Sequence, residues 1–225
     1  MSEIILSIII PVLNEAPMLA NRMPRFKALS DDEATEVIFV DGGSSDGTVE
    51  LLSDNGLYVV HSACGRARQM NLAARVAKGA HMLFLHVDTA LPDNFHLLKN
   101  IITHYNWGFF RLRLSHTSWR YQSIALGINW RSRLFKVATG DQAIFVKSSL
   151  FWQHGGYGDL ELMEDIDLTR RLKKYSLPYI FDDCVVASSR RWESRGIIKT
   201  AILMWFLQLA FKTGISSKRI KAWYQ

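Results

Sequence analysis

The segment Glu161-Leu162-Met163-Glu164-Asp165-Ile166-Asp167 places four carboxylates within seven residues. A carboxylate held near others has a raised pKa and is better placed to take a proton from a hydroxyl. The same acids could instead cap a helix N-terminus or pair with Arg170 and Arg171, and for Asp167 pairing is the better account. His86-Val87-Asp88 puts an imidazole and a carboxylate two residues apart, on one side of an extended chain. A hard divalent cation, Mg²⁺ or Mn²⁺, suits carboxylate and phosphate oxygens there; a strand-end cap is the competing role of Asp88. In Asp41-Gly42-Gly43-Ser44-Ser45-Asp46-Gly47-Thr48 the glycines permit close backbone approach to a ligand. Asp41 could accept hydrogen bonds from a base or ribose, whereas a tight turn with Asp46 as helix cap explains the same residues without a ligand. Arg190-Arg191-Trp192 could clamp a diphosphate and stack on a sugar or base, or form a solvated basic loop over a buried Trp. Arg66 and Arg68 pose the same choice.

Chemistry of this kind needs elements that bring the four segments together. Residues 4–10 form a continuous apolar run, as expected of a buried parallel strand. Helical spacing follows over 17–29, then a strand at 37–40, a short helix from 48 to about 53, and a strand at 57–61. A helix over 66–77 stops at Gly79, and a fourth strand spans 81–86. This alternation predicts an α/β fold with a mostly parallel sheet, whose ligands gather at the carboxyl ends of the strands. Three of these ends carry Asn14-Glu15, Asp41-Gly42-Gly43 and His86-Val87-Asp88. Beyond residue 90 the pattern is less regular. It gives a half-exposed strand at 109–114, a helix over 119–135, a strand at 142–146, a flexible glycine loop at 155–158 and a helix over 164–175. Pro178 stops the last of these. With no linker or repeat, one domain is expected over 1–225, with 1–90 and 91–195 as its two halves and 196–225 as a helical tail.

The chain has 225 residues and a formal charge of +6, which favours anionic partners. No Lys/Arg run is dense enough to favour nucleic acid. Cys64 and Cys184 form no metal-type pair and read as free thiols in a reducing cytoplasm. Acidic Glu3 ahead of a short apolar stretch argues against a signal peptide. The longest uncharged run, 200–211, would span about 18 Å as a helix, short of the ~30 Å hydrocarbon core. The whole segment 196–213 has an apolar body and basic flanks. It fits an in-plane helix on the anionic cytoplasmic leaflet as well as one packed on the sheet or in a dimer interface.

Seven boxes in register give this sequence its strongest resemblance. They are Ser7-Ile8-Ile9-Ile10-Pro11-Val12-Leu13-Asn14-Glu15, Val40-Asp41 through Thr48, Gly65-Arg66-Ala67-Arg68-Gln69-Met70-Asn71, Phe84-Leu85-His86-Val87-Asp88-Thr89, Gly140-Asp141-Gln142-Ala143, Leu162-Met163-Glu164-Asp165-Ile166-Asp167-Leu168 and Arg190-Arg191-Trp192. Together they resemble family 2 glycosyltransferases of the GT-A fold, and more closely a group of short single-domain members. The resemblance implies that Pro11, Asn14 and Glu15 line the nucleotide pocket, with Asp41 on the base or ribose. It further implies that Gly43, Arg66, Asn71, His86, Asp141 and Gln142 contact substrate. Asp88 matches the last acid of the family's metal motif, and Asp165, beside Glu164, matches its base. Arg190, Arg191 and Trp192 resemble the box that steadies the leaving diphosphate. The first acid of the metal motif is replaced by His86.

The implied reaction is single displacement with inversion, from a nucleoside-diphosphate sugar to an acceptor hydroxyl, with a divalent metal on the diphosphate. The acceptor would be lipid-linked if residues 196–213 meet a membrane. A nucleotidyltransferase would carry a Gly-rich basic signature after its first strand, where this chain has Pro11-Val12-Leu13-Asn14-Glu15. Intact Asp88 and Asp165 argue against a non-catalytic sugar-nucleotide binding module.

Overall fold

The computed structural model describes residues 3–224, without the side chains of Leu98, Arg191, Ser194, Arg195 and Ile198. In chain order the elements are β1 (Leu6–Val12), α1 (Ala16–Ser30), β2 (Thr35–Asp41), α2 (Thr48–Asp54), β3 (Tyr58–His61), α3 (Arg66–Val76), β4 (His81–Phe84) and β5 (Thr89–Ala90). Then come α4 (Phe95–Ile102), β6 (Trp107–Leu114), α5 (Trp119–Phe135), a 3₁₀ turn (Gly140–Gln142), β7 (Ile144–Lys147) and α6 (Ser148–Gln153). The last elements are α7 (Glu164–Tyr175), β8 (Tyr179–Ala187), α8 (Arg190–Arg195), α9 (Ile197–Lys212) and α10 (Ser217–Tyr224).

One sheet runs β3-β2-β1-β4-β7-β6-β8-β5. Its first four strands are parallel, as the alternating pattern predicts, with α1, α2 and α3 as crossovers. All seven residues of β1 are buried, which explains their apolar run. The strand extends past residue 10 and includes Pro11. Ile9 C=O accepts from Leu85 N–H at 2.9 Å, where pairing with β4 ends. Pro11, two residues on, turns its missing donor to the same side, beyond that pairing, so no ladder bond is lost.

Two apolar clusters fill the two faces of the sheet. One gathers Leu19, Phe26, Phe39, Phe110, Phe145 and Phe181; the other gathers Ile38, Met70, Phe84, Trp107, Phe151 and Leu168. At Gly108 a Cβ would stand 2.1 Å from Tyr179 O and 2.6 Å from Phe145 Cε1. Gly108→Ala therefore forces β6 from β8, and denaturant unfolding should show a loss of about 3 kcal/mol, the upper end for overpacking. An unchanged midpoint would contradict this contact.

Two expectations need correction. β4 ends at Phe84, and Val87 and Asp88 lie in a turn closed by Thr89 N–H to His86 C=O at 3.0 Å, so strand alternation does not govern residues 86 and 88. The short β5 that follows pairs with the end of β8 through Thr89↔Ala187 and Ala90↔Val186. The 155–158 loop is anchored rather than flexible. Asn71 Nδ2 donates to Tyr157 C=O at 2.7 Å and Asn71 Oδ1 accepts from Tyr157 N–H at 2.9 Å. Arg171 adds bonds to His154 C=O and Gly156 C=O while pairing with Asp167 at 2.7 Å.

Candidate active site

The first two boxes interlock at the carboxyl ends of β1 and β2. The opening N–H groups of a helix have no partner within it. Here the neighbouring turn provides some: Asn14 N–H donates to Ser44 Oγ (2.8 Å), Glu15 N–H to Thr48 Oγ1 (2.9 Å) and Ala16 N–H to Asp46 Oδ2 (3.0 Å). Asn14 Oδ1 accepts from Ser45 N–H in return, and Asn14 takes φ +54° to reach it. Asp46 also accepts from Thr48 N–H, so one acid holds the first N–H of α2 and that of α1. Buried Gln69 sits beneath, donating to Val12 C=O and Val40 C=O; a Cβ on Gly42 would lie 3.0 Å from its Cδ. Asp41 is buried and accepts from Gly43 and Ser44 N–H. Burial pushes its carboxyl up, but these bonds and His61 outweigh that and hold it below the ordinary value.

Glu15 opens a charged cluster. Burial and the charge of Asp88 raise its pKa, against the pull of Arg190 and Arg66. The β5–β8 pairing explains why Asp88 and Arg190 both act on Glu15: β5 starts just after Asp88, and β8 leads through Ser188 and Ser189 into α8. Ser189 is buried and fixed by Ser115 Oγ and Glu193, and Arg190 Nε donates to Ser188 Oγ at 3.3 Å. Behind the cluster Arg22 donates to Val87 C=O at 3.4 Å. Desolvation lowers its guanidinium pKa while Asp88 raises it. Asp88, Arg66 and Arg190 thus lie within electrostatic reach of Glu15, and Asp88 and Arg190 within that of Arg22, at the strand ends.

A second group lies where the 3₁₀ turn meets α7. Asp165 Oδ2 accepts from Gly140 N–H at 2.5 Å and Oδ1 from Ile166 N–H at 2.7 Å. Burial and the neighbouring charge of Glu164 push its carboxyl up to about 7, despite those two bonds. A Cβ at Gly140 would stand 2.5 Å from His86 Nε2 and 3.5 Å from Asp165 Oδ2, so His86, Gly140 and Asp165 converge. Met163 and Ala143 take φ +71° and +48°, so non-glycine residues in the left-handed region flank this group, as Asn14 itself is one at the strand ends. Tyr157 is buried nearby; burial and the charges of Asp165 and Glu164 hold its hydroxyl protonated. Arg131, on α5, lies within electrostatic reach of Asp141 and Asp165 and donates to Gln208 Oε1 at 3.0 Å.

The sequence-derived residues therefore divide. Asn14, Glu15, Asp41, Gly43, Arg66, Asp88 and Arg190 gather at the strand ends. His86, Asp141, Glu164 and Asp165 gather at the second group, with Glu164 largely buried. Pro11 continues β1. Two residues expected to touch substrate have their side chains engaged elsewhere. Gln142 is fully buried and bonded to Ser132, Thr139 and Phe110, holding the turn beneath Asp165. Asn71 spends its amide on Tyr157. Arg68 forms an exposed fork with Asp159 at 2.9 and 3.2 Å. Trp192 is partly buried against the core, and the Arg191 side chain lies outside the described residues. Arg22 and Arg131 escaped the sequence reading. Arg22 had a signal, since it follows Glu15 by two helical turns and shares its face; Arg131 comes within electrostatic reach of Asp165 across 34 positions and had none.

Among the described residues no three His, Cys, Asp or Glu side chains converge as a metal cage. The pair Asp88 and Glu15, each in the other's field, still fits a divalent cation. Mg²⁺ and Mn²⁺ sites on phosphates use one or two protein carboxylates, the ligand's oxygens and water.

Residues 7–150, well over half the chain, match the model of glycosyl transferase family 2. No curated protein is significantly similar in sequence. Among solved structures, S. aureus TarS 1-349 in complex with UDP-GlcNAc is 16% identical with a TM-score of 0.66 over 82% of this chain and 58% of its own. The mannosyltransferase PcManGT from Pyrobaculum calidifontis, in complex with GDP-Man and Mn²⁺, is 19% identical with a TM-score of 0.60 over 80% of this chain and 56% of its own. At such identities the likeness concerns the fold, which is GT-A, and this chain spans less than two thirds of either protein.

Proposed function

The chain belongs to glycosyl transferase family 2, and from that premise we propose that it transfers a sugar, with inversion, from a nucleoside-diphosphate sugar to an acceptor hydroxyl. The observation carrying this reading is that Asp88, Arg66 and Arg190 lie within electrostatic reach of Glu15, and Asp88 within that of Arg22, while His86 of the same turn as Asp88 converges with Gly140 on Asp165, whose carboxyl is raised to about 7. Cations flanking a carboxylate pair suit a diphosphate that arrives with a divalent cation, and the rigid Asn14–Ser44–Asp46 joint suits a nucleoside resting on Asp41. Mg²⁺ or Mn²⁺ held at Asp88 would neutralise charge on the departing nucleoside diphosphate.

The chain's own residues do the rest. Arg190 and Arg66 face the diphosphate from α8 and α3, and Arg22 balances Asp88 from behind. Asp165, held by Gly140 and Ile166 N–H, takes the proton of the acceptor hydroxyl as its oxygen attacks the anomeric carbon from the side opposite the leaving group. Glu164 keeps that carboxyl basic by its charge. No covalent glycosyl intermediate is required. An acceptor carried on a lipid at the cytoplasmic face of a membrane fits the apolar, basic-ended α9.

A thermal-shift screen of UDP- and GDP-sugars with Mn²⁺ tests the donor. The right one at 100 times its Kd should stabilise the fold by about 2.7 kcal/mol. Turnover should then release UDP or GDP. Release of pyrophosphate, or no stabilisation by any nucleotide sugar, would overturn the proposal.

A further inference from the structure

Helix α5 exposes Trp119, Leu126, Trp130 and Leu134, at helical spacing along one stripe, with Trp130 64% exposed. Helix α9 exposes Ile202, Trp205, Phe206 and Leu209, a second stripe, with Trp205 66% exposed. The opposite side of α9 is apolar too, and there Leu207 and Ala210 pack on Met163 and Ile166 of the α7 entrance and on Ile220 of α10. The outward stripe is therefore surplus to the core. Arg131 on α5 bonds Gln208 on α9 at 3.0 Å, so the two stripes run on adjoining helices. α10 packs against α9, with Phe206 and Trp223 rings 5.4 Å apart.

These three helices hold eight of the chain's 27 Lys and Arg and none of its 21 Asp and Glu. The rest of the chain is slightly acidic, so the net charge of +6 comes from these three helices, where Arg131 turns inward to Gln208 and Lys221 pairs with Glu161 at 3.1 Å. On α9, exposed Lys199 and Lys212 stand at the two ends of the stripe.

We propose that the outward face of α5 and α9 docks on an anionic phospholipid bilayer, the helices lying in the plane of its interface. This extends the membrane location put forward above by adding α5 and an orientation, and it does not depend on the transfer reaction. Tryptophans and an apolar stripe enter the headgroup boundary while the lysines meet lipid phosphates. At 16 residues α9 is about 24 Å long, too short to cross the ~30 Å core, and among the described residues no helix is long and apolar enough to do so. A second copy is the weaker occupant, because a symmetric interface would press together two pairs of helices that carry cations and no acids of their own. Docked this way, α9 lies between the bilayer and the start of α7, since Met163 and Ile166 pack on its opposite side.

Flotation with phosphatidylcholine vesicles, with and without phosphatidylglycerol, tests the surface. The protein should float with anionic vesicles, far less with neutral ones, and partly release at high salt. Trp130→Ser and Trp205→Ser replace exposed side chains, so both should stay folded and each should weaken partitioning roughly tenfold. Recovery in the unbound fraction with both vesicle types overturns the proposal. So does a stable solution dimer that Trp205→Ser dissociates. A protein that floats but turns over no nucleotide sugar fails the transfer reading alone, and one that transfers to a soluble acceptor yet ignores vesicles fails this one alone.

Discussion

Asp165→Asn is expected to lower transfer by roughly 10²–10⁴-fold while nucleotide-sugar binding is retained, the usual worth of a positioned general base. The carboxyl has the properties the task needs. Its two oxygens are fixed by Gly140 and Ile166 N–H, so its direction is set by backbone. Burial and Glu164 bring its pKa to about 7, so near neutrality it is ionised enough to accept a proton and basic enough to hold it. Since only the ionised form acts as a base, kcat/KM should rise with pH through about 7 and level off above. Glu164→Gln removes a charge that raises this pKa, so the acidic limb should move to lower pH. Asp167→Asn is the control. It breaks the ion pair with Arg171 that ties down the 155–158 loop, which costs stability but should leave the pH limb in place. Single-turnover rates with preformed donor complex decide it. Near-native transfer by Asp165→Asn would pass the role to Glu164, and a limb unmoved by Glu164→Gln would remove that residue from the electrostatics of the base.

How much of this was legible in the sequence depended on the range of the interactions. The parallel half was readable because β1, β2 and β4 are buried on both faces and read as apolar runs, and because the intervening helices keep their own period. α5 and α7 were readable end to end for the same reason. β8 was not, since its nine residues include Asp182, Asp183 and Cys184 at a register shift against β6, which breaks both alternation and apolar continuity. β5 has two residues and exists only because β8 is there to pair with it. Site residues followed the same division. Asp88, Asp165 and Asp41 stood out as acids at strand ends or at a helix start. Gln142 and Asn71 sit in equally distinctive boxes, yet their amides serve backbone groups that only the fold brings near. A motif thus marked the neighbourhood of the site without separating side chains that face the cleft from those that shape it.

Asp88→Ala should have the largest effect of any single exchange at the strand ends, a loss of transfer on the order of 10³-fold or more, in keeping with removal of a principal charge-stabilising group. The fold should survive. The turn bearing Asp88 is closed by Thr89 N–H to His86 C=O and by β5–β8 pairing, neither of which uses the carboxylate. What changes is the charge balance. Glu15 loses the neighbour that raises its pKa, and Arg22 loses the acid that offsets its desolvation, so the space becomes cationic and a bare diphosphate can still enter. The variant should therefore keep a thermal shift with UDP or GDP alone, resting on Asp41 and the arginines. It should lose the further shift that Mn²⁺ adds in the native protein. Two titrations of the melting temperature, nucleotide with and without Mn²⁺, separate these terms without any turnover. If Asp88→Ala kept both the Mn²⁺-dependent shift and native turnover, the cation would be held elsewhere, and Glu15, the other carboxylate of the cluster, would be the next residue to exchange.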